Sequence, residues 1–529
     1  MRSRVTRYAT ILALATLLSG LGALALAQGA ARGFEAFWGT KFASRSPDAP
    51  RDIASGRSTE VHSNAKLEAE TERRLRPVPF DARSRLVHWN RVAIDTSGVD
   101  HTPVAAGETR VFGEQLGPGR ASRAMAIVHI AIFDAVNAFT GEWQSFTKWD
   151  PAPPGASMDA AIAQAAHDTL AGLYPSQADT LDEALAEDLA LIAPNGKEPG
   201  RRVGGQAAAA ILAARRNDGS ERPEPRVGID FITSDRPGSW RQDPVSQIPI
   251  ALGAFWGSVK PFVIPSGQQF RVPPPPALNT PEYTLAFQEA KQLGGDGDVT
   301  KTNRTAEQST IGIFWAYDGM PSLCAPPRLY NQIAMTIADQ MGSDLFALTR
   351  LLALVNVAMA DAGIAIWDSK YFYLYWRPVT GIREADAGTG PSKLGDGNPD
   401  TVGDPTFLPN GAPTSNLSGP RFTPPFPSYP SGHAGFGGAL FEVLRQFYGT
   451  DDIAFTFTSD EYNGVTLGSD GQPRPPHPRT FQSLTQAEEE NGQSRIYLGI
   501  HWSFDKTQGI AQGRRVADYV LKSALGPRK

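Results

Sequence analysis

One stretch limits the fold more than any other. From Leu345 to Trp367 the chain is almost continuously apolar, with charged or amide side chains only at Arg350, Asn356 and Asp361. A helix of that length could span a bilayer, but ionised groups inside a lipid-facing helix are costly. Apolar residues all round, with a few polar ones among them, describe instead a buried helix of a large soluble core. The helical pattern runs from Asp344 to Trp376. Such a helix needs many partners to cover it. The chain can supply them, with 529 residues, 41% of them hydrophobic and 20% charged.

Apolar spacing predicts two sets of such partners. The first comprises helices over 121–139, 159–173, 178–192 and 204–216. The second comprises 281–293, 305–317, 327–341, the long helix itself, 434–448, 483–498 and 507–525. Period-two alternation is weak throughout. The expected class is mainly α: two helical bundles with long Pro/Gly-rich loops, consistent with 52 glycines and 43 prolines. The domain reading follows. Residues 28–84 form an extension or linker, 85–280 an N-terminal helical bundle with a Pro-rich connection, and 281–529 a C-terminal helical bundle. Irregular stretches over 381–430 and 449–481 interrupt the second bundle.

The first 27 residues read as a signal peptide. Arg2, Arg4 and Arg7 precede an apolar stretch from Ala9 to Leu26, and Ala25-Leu26-Ala27 gives a cleavage pattern. An uncleaved anchor is the other reading. The expected location is periplasmic or secreted, with no stable membrane insertion after cleavage. One cysteine, Cys324, excludes a disulfide scaffold and a Cys-based zinc cluster. A net charge of −5 with no long basic block argues against a nucleic-acid partner.

Three short segments carry the chemistry: Lys370 through Arg377-Pro378, Pro430-Ser431-Gly432-His433, and Ser494-Arg495 through His501. Lys370 and Arg377 are two helical turns apart, which places them on one face of a helix that Pro378 would end. Two buried cations repel unless an anion lies between them. Ser431 is a natural N-cap for the helix starting near Ala434, and Gly432 lets the backbone approach a ligand. A helix N-terminus is a ready oxyanion site. His433 stands beside it as an acid or base. Arg495 and His501 fall on different faces of a straight helix, so Gly499 should mark a change of direction that lets both reach one ligand. Asp505, four residues beyond His501, could accept from the imidazole and fix its tautomer. The sum is a site for a tetrahedral oxyanion. Taken singly, each piece has a bland reading: a solvated cation, a common loop string, a structural histidine. Their order and spacing together do not.

At these residues the sequence resembles the superfamily shared by the vanadium-dependent haloperoxidases and the type 2 phosphatidic acid phosphatases. Trp367, Phe426 and the segment Trp315-Ala316-Tyr317-Asp318-Gly319 look like the chloroperoxidase branch. The resemblance implies vanadate held as a trigonal bipyramid, with His501 as the metal ligand and Lys370, Arg377, Ser431, Gly432 and Arg495 on its oxygens. It implies His433 and Lys370 as the catalytic groups, with Asp318 orienting Arg495. Trp367, Phe426 and Asp505 complete the pocket. The implied reaction is oxidation of a halide, chloride or bromide, by hydrogen peroxide to hypohalous acid through a peroxovanadate intermediate. A small organic acceptor is then halogenated. Two alternatives stand beside it. One is an acid phosphatase of the same superfamily, with His501 as phosphohistidine and His433 protonating the leaving group, a pattern Asp505 suits at least as well. The other is a binding protein with a degenerate pocket.

Overall fold

The computed structural model describes residues 33–45, 80–148 and 150–528; the expected signal peptide lies outside them. The first bundle consists of α1 (Ala82–Asp100), α2 (Gly117–Thr140), α3 (Met158–Leu173), α4 (Ala178–Ala190) and α5 (Lys197–Ala214). The second contains α6 (Pro281–Leu293), α7 (Ala306–Phe314), α8 (Pro326–Gln340), α9 (Leu345–Tyr373), α10 (Pro378–Arg383), α11 (Gly432–Tyr448), α12 (Leu484–Tyr497) and α13 (Ser503–Ser523). The helix ends follow local chemistry. Ser157, Thr280, Asp344, Ser431 and Ser483 cap their helices by accepting from a first-turn amide. Proline opens α2, α6, α8 and α10. Left-handed Gly141 and Gly449 close α2 and α11.

The long apolar helix is α9, about 43 Å from end to end at 1.5 Å per residue. Like α2, it is long and apolar enough to cross a membrane, yet 78% of its most apolar window is buried inside the protein. It packs on α2 of the first bundle and on α8, α11 and α13 of the second. One hydrophobic cluster therefore runs through both bundles. The closest approach is between α11 and α13. A Cβ on Gly513 would lie 2.0 Å from the Gly435 carbonyl oxygen, so glycine is required there for the helices to touch. A second cluster, including Tyr283, Trp376, Tyr429, Trp502 and Phe504, sits beneath α6.

Strands are few among the described residues. β1 (Ala43–Ser44) pairs antiparallel with β2 (Leu417–Ser418), and β3 (Phe455–Thr458) with β4 (Pro478–Phe481). The first pair tethers the N-terminal segment to the loop preceding α11.

Two expectations need correction. Parts of the 28–84 stretch are structured: residues 33–38 are helical, Phe34, Trp38 and Phe42 are buried in the main core, and α1 begins at Ala82. Phe34, Phe37, Trp38 and Phe42 follow helical spacing, a stripe masked by the polar composition after it. The second correction concerns Arg377. The long helix ends at Tyr373, where Leu374 turns left-handed at φ 50°. Arg377 is extended and caps α10, and Pro378 begins that helix instead of ending α9. Lys370 and Arg377 thus meet across a turn, not along one helix face.

Candidate active site

The site forms where the C-terminal turn of α9, the start of α10, the N-terminus of α11 and the α12–α13 connection converge. Lys370, in the last turn of α9, is fully buried. Its Nζ donates to the carbonyls of Pro427 (2.8 Å) and Ser428 (2.9 Å) and lies 5.0 Å from the centre of the Phe426 ring. Arg377 donates from Nε to the Phe426 carbonyl (2.9 Å) and from Nη1 to the Ile500 carbonyl (2.8 Å). Arg495, in the last turn of α12, donates from Nη2 to Asp318 Oδ1 at 2.6 Å.

Gly499 makes the predicted change of direction, with φ at 69°. It brings His501 back toward Arg377, whose Nη1 lies 3.1 Å from Nε2. The other ring nitrogen, Nδ1, is 2.7 Å from Asp505 Oδ2. A carboxylate only accepts, so Nδ1 carries the proton and Nε2 keeps its lone pair. Asp505 in turn accepts from the Trp502 amide (3.0 Å) and from the Ser428 hydroxyl. Burial raises Asp505 to about 6, against those hydrogen bonds.

Ser431 caps α11, its Oγ accepting from the Ala434 amide at 3.4 Å, and Gly432 opens the helix. His433 Nε2 donates to the Ala316 carbonyl and lies 4.0 Å from Asp318 Oδ1. Its own carbonyl accepts from Tyr330 Oη (2.9 Å) and Asn491 Nδ2 (3.0 Å), which fixes the first turn. Trp367 and Phe426 pack at 5.0 Å between ring centres. Both line a cavity together with Asp318, Gly432, His433, Arg495 and His501.

The electrostatics describe a site short of negative charge. Burial, then the neighbouring Arg377 charge, pushes Lys370 well below the usual ammonium range. Burial brings Arg377 down to about 9. His433 is held well below the usual imidazole range by burial and then by Arg495, and His501 by burial and then by Arg377. Both imidazoles are therefore neutral. Burial raises Asp318, opposed by Arg495. Arg377 Nη2 and Arg495 Nε and Nη1 are buried and have no hydrogen-bond partner among the described residues. Three guanidinium donors without acceptors, around an imidazole whose unprotonated Nε2 meets only Arg377 Nη1, describe an oxyanion cavity with one coordinating nitrogen.

All eleven expected site residues come together here. Ser428, Tyr330 and Asn491 were not anticipated. Ser428 stands inside the Pro-rich string before the Pro-Ser-Gly-His segment, where a hydroxyl gives no pattern, and the other two lie on separate helices. Phe37 and Trp38, from the N-terminal segment, also line the cavity.

Residues 350–527 match the VCPO second helical-bundle domain. The chain is 32% identical over 507 residues to vanadium chloroperoxidase of Curvularia inaequalis, across 79% of this chain and 78% of that one. It belongs to the vanadium-dependent haloperoxidase family. The fold agrees with that of a bacterial vanadium-dependent iodoperoxidase, with a TM-score of 0.65 at 23% identity, covering 86% of this chain and 99% of that one. It also agrees with that of a holo-type bacterial vanadium-dependent chloroperoxidase, with a TM-score of 0.55 at 17% identity, covering 77% and 92%. As a member of this family the haloperoxidase takes vanadate as its cofactor and hydrogen peroxide and a halide as substrates. The unpartnered donors of Arg377 and Arg495 and the unprotonated Nε2 of His501 fit that oxyanion.

Proposed function

We propose that this haloperoxidase binds vanadate through His501 Nε2, with Lys370, Arg377, Ser431, Gly432 and Arg495 holding its oxygens. The observation that carries this reading is the set of buried guanidinium N–H groups without acceptors beside that nitrogen. Bound vanadate supplies a V(V) Lewis acid that activates hydrogen peroxide toward a halide without changing oxidation state. The residues do the rest. Asp505 holds the His501 proton on Nδ1 and keeps Nε2 available. His433, neutral and already donating from Nε2 to Ala316, has Nδ1 free to take a proton from incoming peroxide. Lys370, pinned by two carbonyls, is a positioned donor whose positive charge a bound oxyanion favours, and it polarises the oxidant. Asp318 sets the guanidinium plane of Arg495. The cationic cavity draws in the halide, chloride or bromide, and Phe426 and Trp367 exclude water around it.

The pairing of Asp505 with His501 suits a phosphatase equally, so it does not discriminate between the two chemistries. Family membership favours the haloperoxidase. The test is halogenation of a phenolic dye by purified protein with vanadate, hydrogen peroxide and bromide or chloride. Vanadate-dependent halogenation is expected. Turnover of p-nitrophenyl phosphate, inhibited by vanadate and without halogenation, would overturn the reading. Export is part of the same proposal. Arg2, Arg4, Arg7 and the Ala25-Leu26-Ala27 pattern support a periplasmic or secreted enzyme, and N-terminal sequencing of the exported protein should begin at Gln28.

A further inference from the structure

The N-terminal segment contributes a feature that the three motif segments do not contain. Residues 33–45 are held against the second bundle by the β1–β2 pairing, by the Arg45 amide on the Asn416 carbonyl (3.0 Å) and by Phe34 and Phe42 in the core. This places Trp38 in the wall of the cavity that holds His433, Arg495 and His501. Its ring packs on Phe422 and Phe42, at 5.3 and 5.2 Å between centres. Its six-membered edge faces Gly319, the residue after Asp318: a Cβ built there would lie 3.8 Å from Cζ2.

The indole nitrogen is the telling atom. Trp38 is 1% exposed, and its Nε1 has no hydrogen-bond partner among the described residues. Trp256 and Trp376 also leave Nε1 without a partner, but neither lines this cavity, and three further buried tryptophans satisfy theirs. Trp89 donates to Asp188, Trp315 to Glu490 and Trp502 to the Trp376 carbonyl. Trp367, the other indole lining this cavity, donates to the Leu252 carbonyl at 3.1 Å. An unpaired buried N–H is costly, and an incoming anion relieves that cost. Phe37 and Phe422 pack on Trp38, and Leu252, Pro424 and Pro425 line the same cavity; the acidic group in that lining, Asp318, is engaged by Arg495. A hydrated anion cannot keep its water there. A halide stripped of water needs a donor, and one that does not compete with the arginines for vanadate.

We propose that Trp38 is a halide-binding, specificity-determining residue, whose indole N–H takes the dehydrated halide as it approaches the oxidant. The inference rests on the haloperoxidase reading. Chloride and bromide, as the stronger hydrogen-bond acceptors, depend on this donor more than iodide does. Trp38→Phe removes the N–H and keeps an aromatic wall; Trp38→Ala removes both.

The experiment uses the full vanadate-loaded protein. It measures KM and kcat for the three halides, vanadate affinity by calorimetry, and chloride binding by NMR line broadening without peroxide. In Trp38→Phe, KM for chloride and bromide should rise about tenfold, as for a lost hydrogen bond to a charged group. The iodide value should change less, with kcat and vanadate affinity within about twofold of wild type. Chloride line broadening should shrink in parallel, and Trp38→Ala should erode halide discrimination further. Unchanged KM values in Trp38→Phe overturn the proposal. So does an equal rise for all three halides together with weakened vanadate binding, which marks a purely structural role. If the wild type oxidises no halide, the haloperoxidase reading fails separately. Line broadening that is lost in Trp38→Phe then still supports the halide site, and broadening that persists overturns it.

Discussion

The two bundles bury arginines in opposite ways. In the first bundle Arg85 is 2% exposed and fully countered: Nε donates to both oxygens of Asp188 at 2.8 and 3.0 Å, and Nη1 pairs with Asp159. Arg123 and Arg215 share Asp218 at 2.7 and 2.8 Å, so each has a counter-ion even though Arg215 Nε lacks an acceptor of its own. In the second bundle Arg377 and Arg495 are as deeply buried, yet Arg377 has carbonyls and an imidazole for partners and Arg495 a single carboxylate contact. A buried ion with its counter-ion is complete; one without it costs several kcal/mol, about what a bound anion can return. The first arrangement holds a fold together. The second is a binding site that the fold must support from elsewhere.

The sharpest way to break this contrast is to remove the coordinating nitrogen. His501→Ala should raise the vanadate dissociation constant at least about a hundredfold and abolish halogenation, in line with the loss of a direct metal ligand. Calorimetric affinity equal to wild type would sink the ligand assignment. Next in size is His433→Ala. Vanadate should still bind, while kcat falls by about 10² to 10⁴, the usual contribution of a positioned acid–base group. A loss of affinity with no loss of kcat would reassign His433 to holding the cofactor.

A paired substitution tests the contrast directly. Arg85→Met leaves Asp188 buried without its partner and should cost about 3–5 kcal/mol of stability, read by urea unfolding. Arg377→Met removes a repelling charge. Vanadate-free protein should then be no less stable than wild type, while the stabilisation that vanadate confers, about 2.7 kcal/mol at a hundredfold excess over its dissociation constant, should largely vanish. Equal destabilisation by the two changes in vanadate-free protein would mean that both arginines are structural.

The same physics explains what was legible in the sequence. Helices with dense apolar sequence, such as α2, α9 and α11, are predicted to within a few residues, because burial dictates them. α1 escaped because its buried face includes Arg85, Asn90 and Asp100, which look solvent-facing until their partners are known. The site was legible because its residues cluster in three short strings with chemistry written into each. Ser428 and Trp38 were not, since their roles depend on contacts that no spacing encodes: Ser428 on Asp505, 77 residues away, and Trp38 on a cavity built from the opposite end of the chain. The Lys370–Arg377 geometry was misread because two helical turns look alike whether or not a left-handed residue interrupts them.

The smallest expected effect lies on α9 itself, nine residues before Lys370. Asp361 is fully buried and accepts the amides of Phe262 (2.6 Å), Val263 (2.7 Å) and Ile264 (2.9 Å), tying the Pro-rich connection to the central helix. Burial raises it to about 6 in spite of those three donors. A carboxyl whose folded value is raised binds its proton more tightly in the folded state. Its contribution is therefore fully present below about pH 4 and is lost as pH rises through about 6. Asp361→Asn removes the titration and turns one amide donor toward another. The stability advantage of wild type over this variant should thus shrink by at most about 3 kcal/mol between pH 4 and pH 7. An advantage that stays constant or grows over that range would show that Asp361 is ionised throughout. A buried charge on α9 would then be held by three amides, with only the charge of Arg215 to help them, and the line between the satisfied and unsatisfied charges of this helix would have to be redrawn.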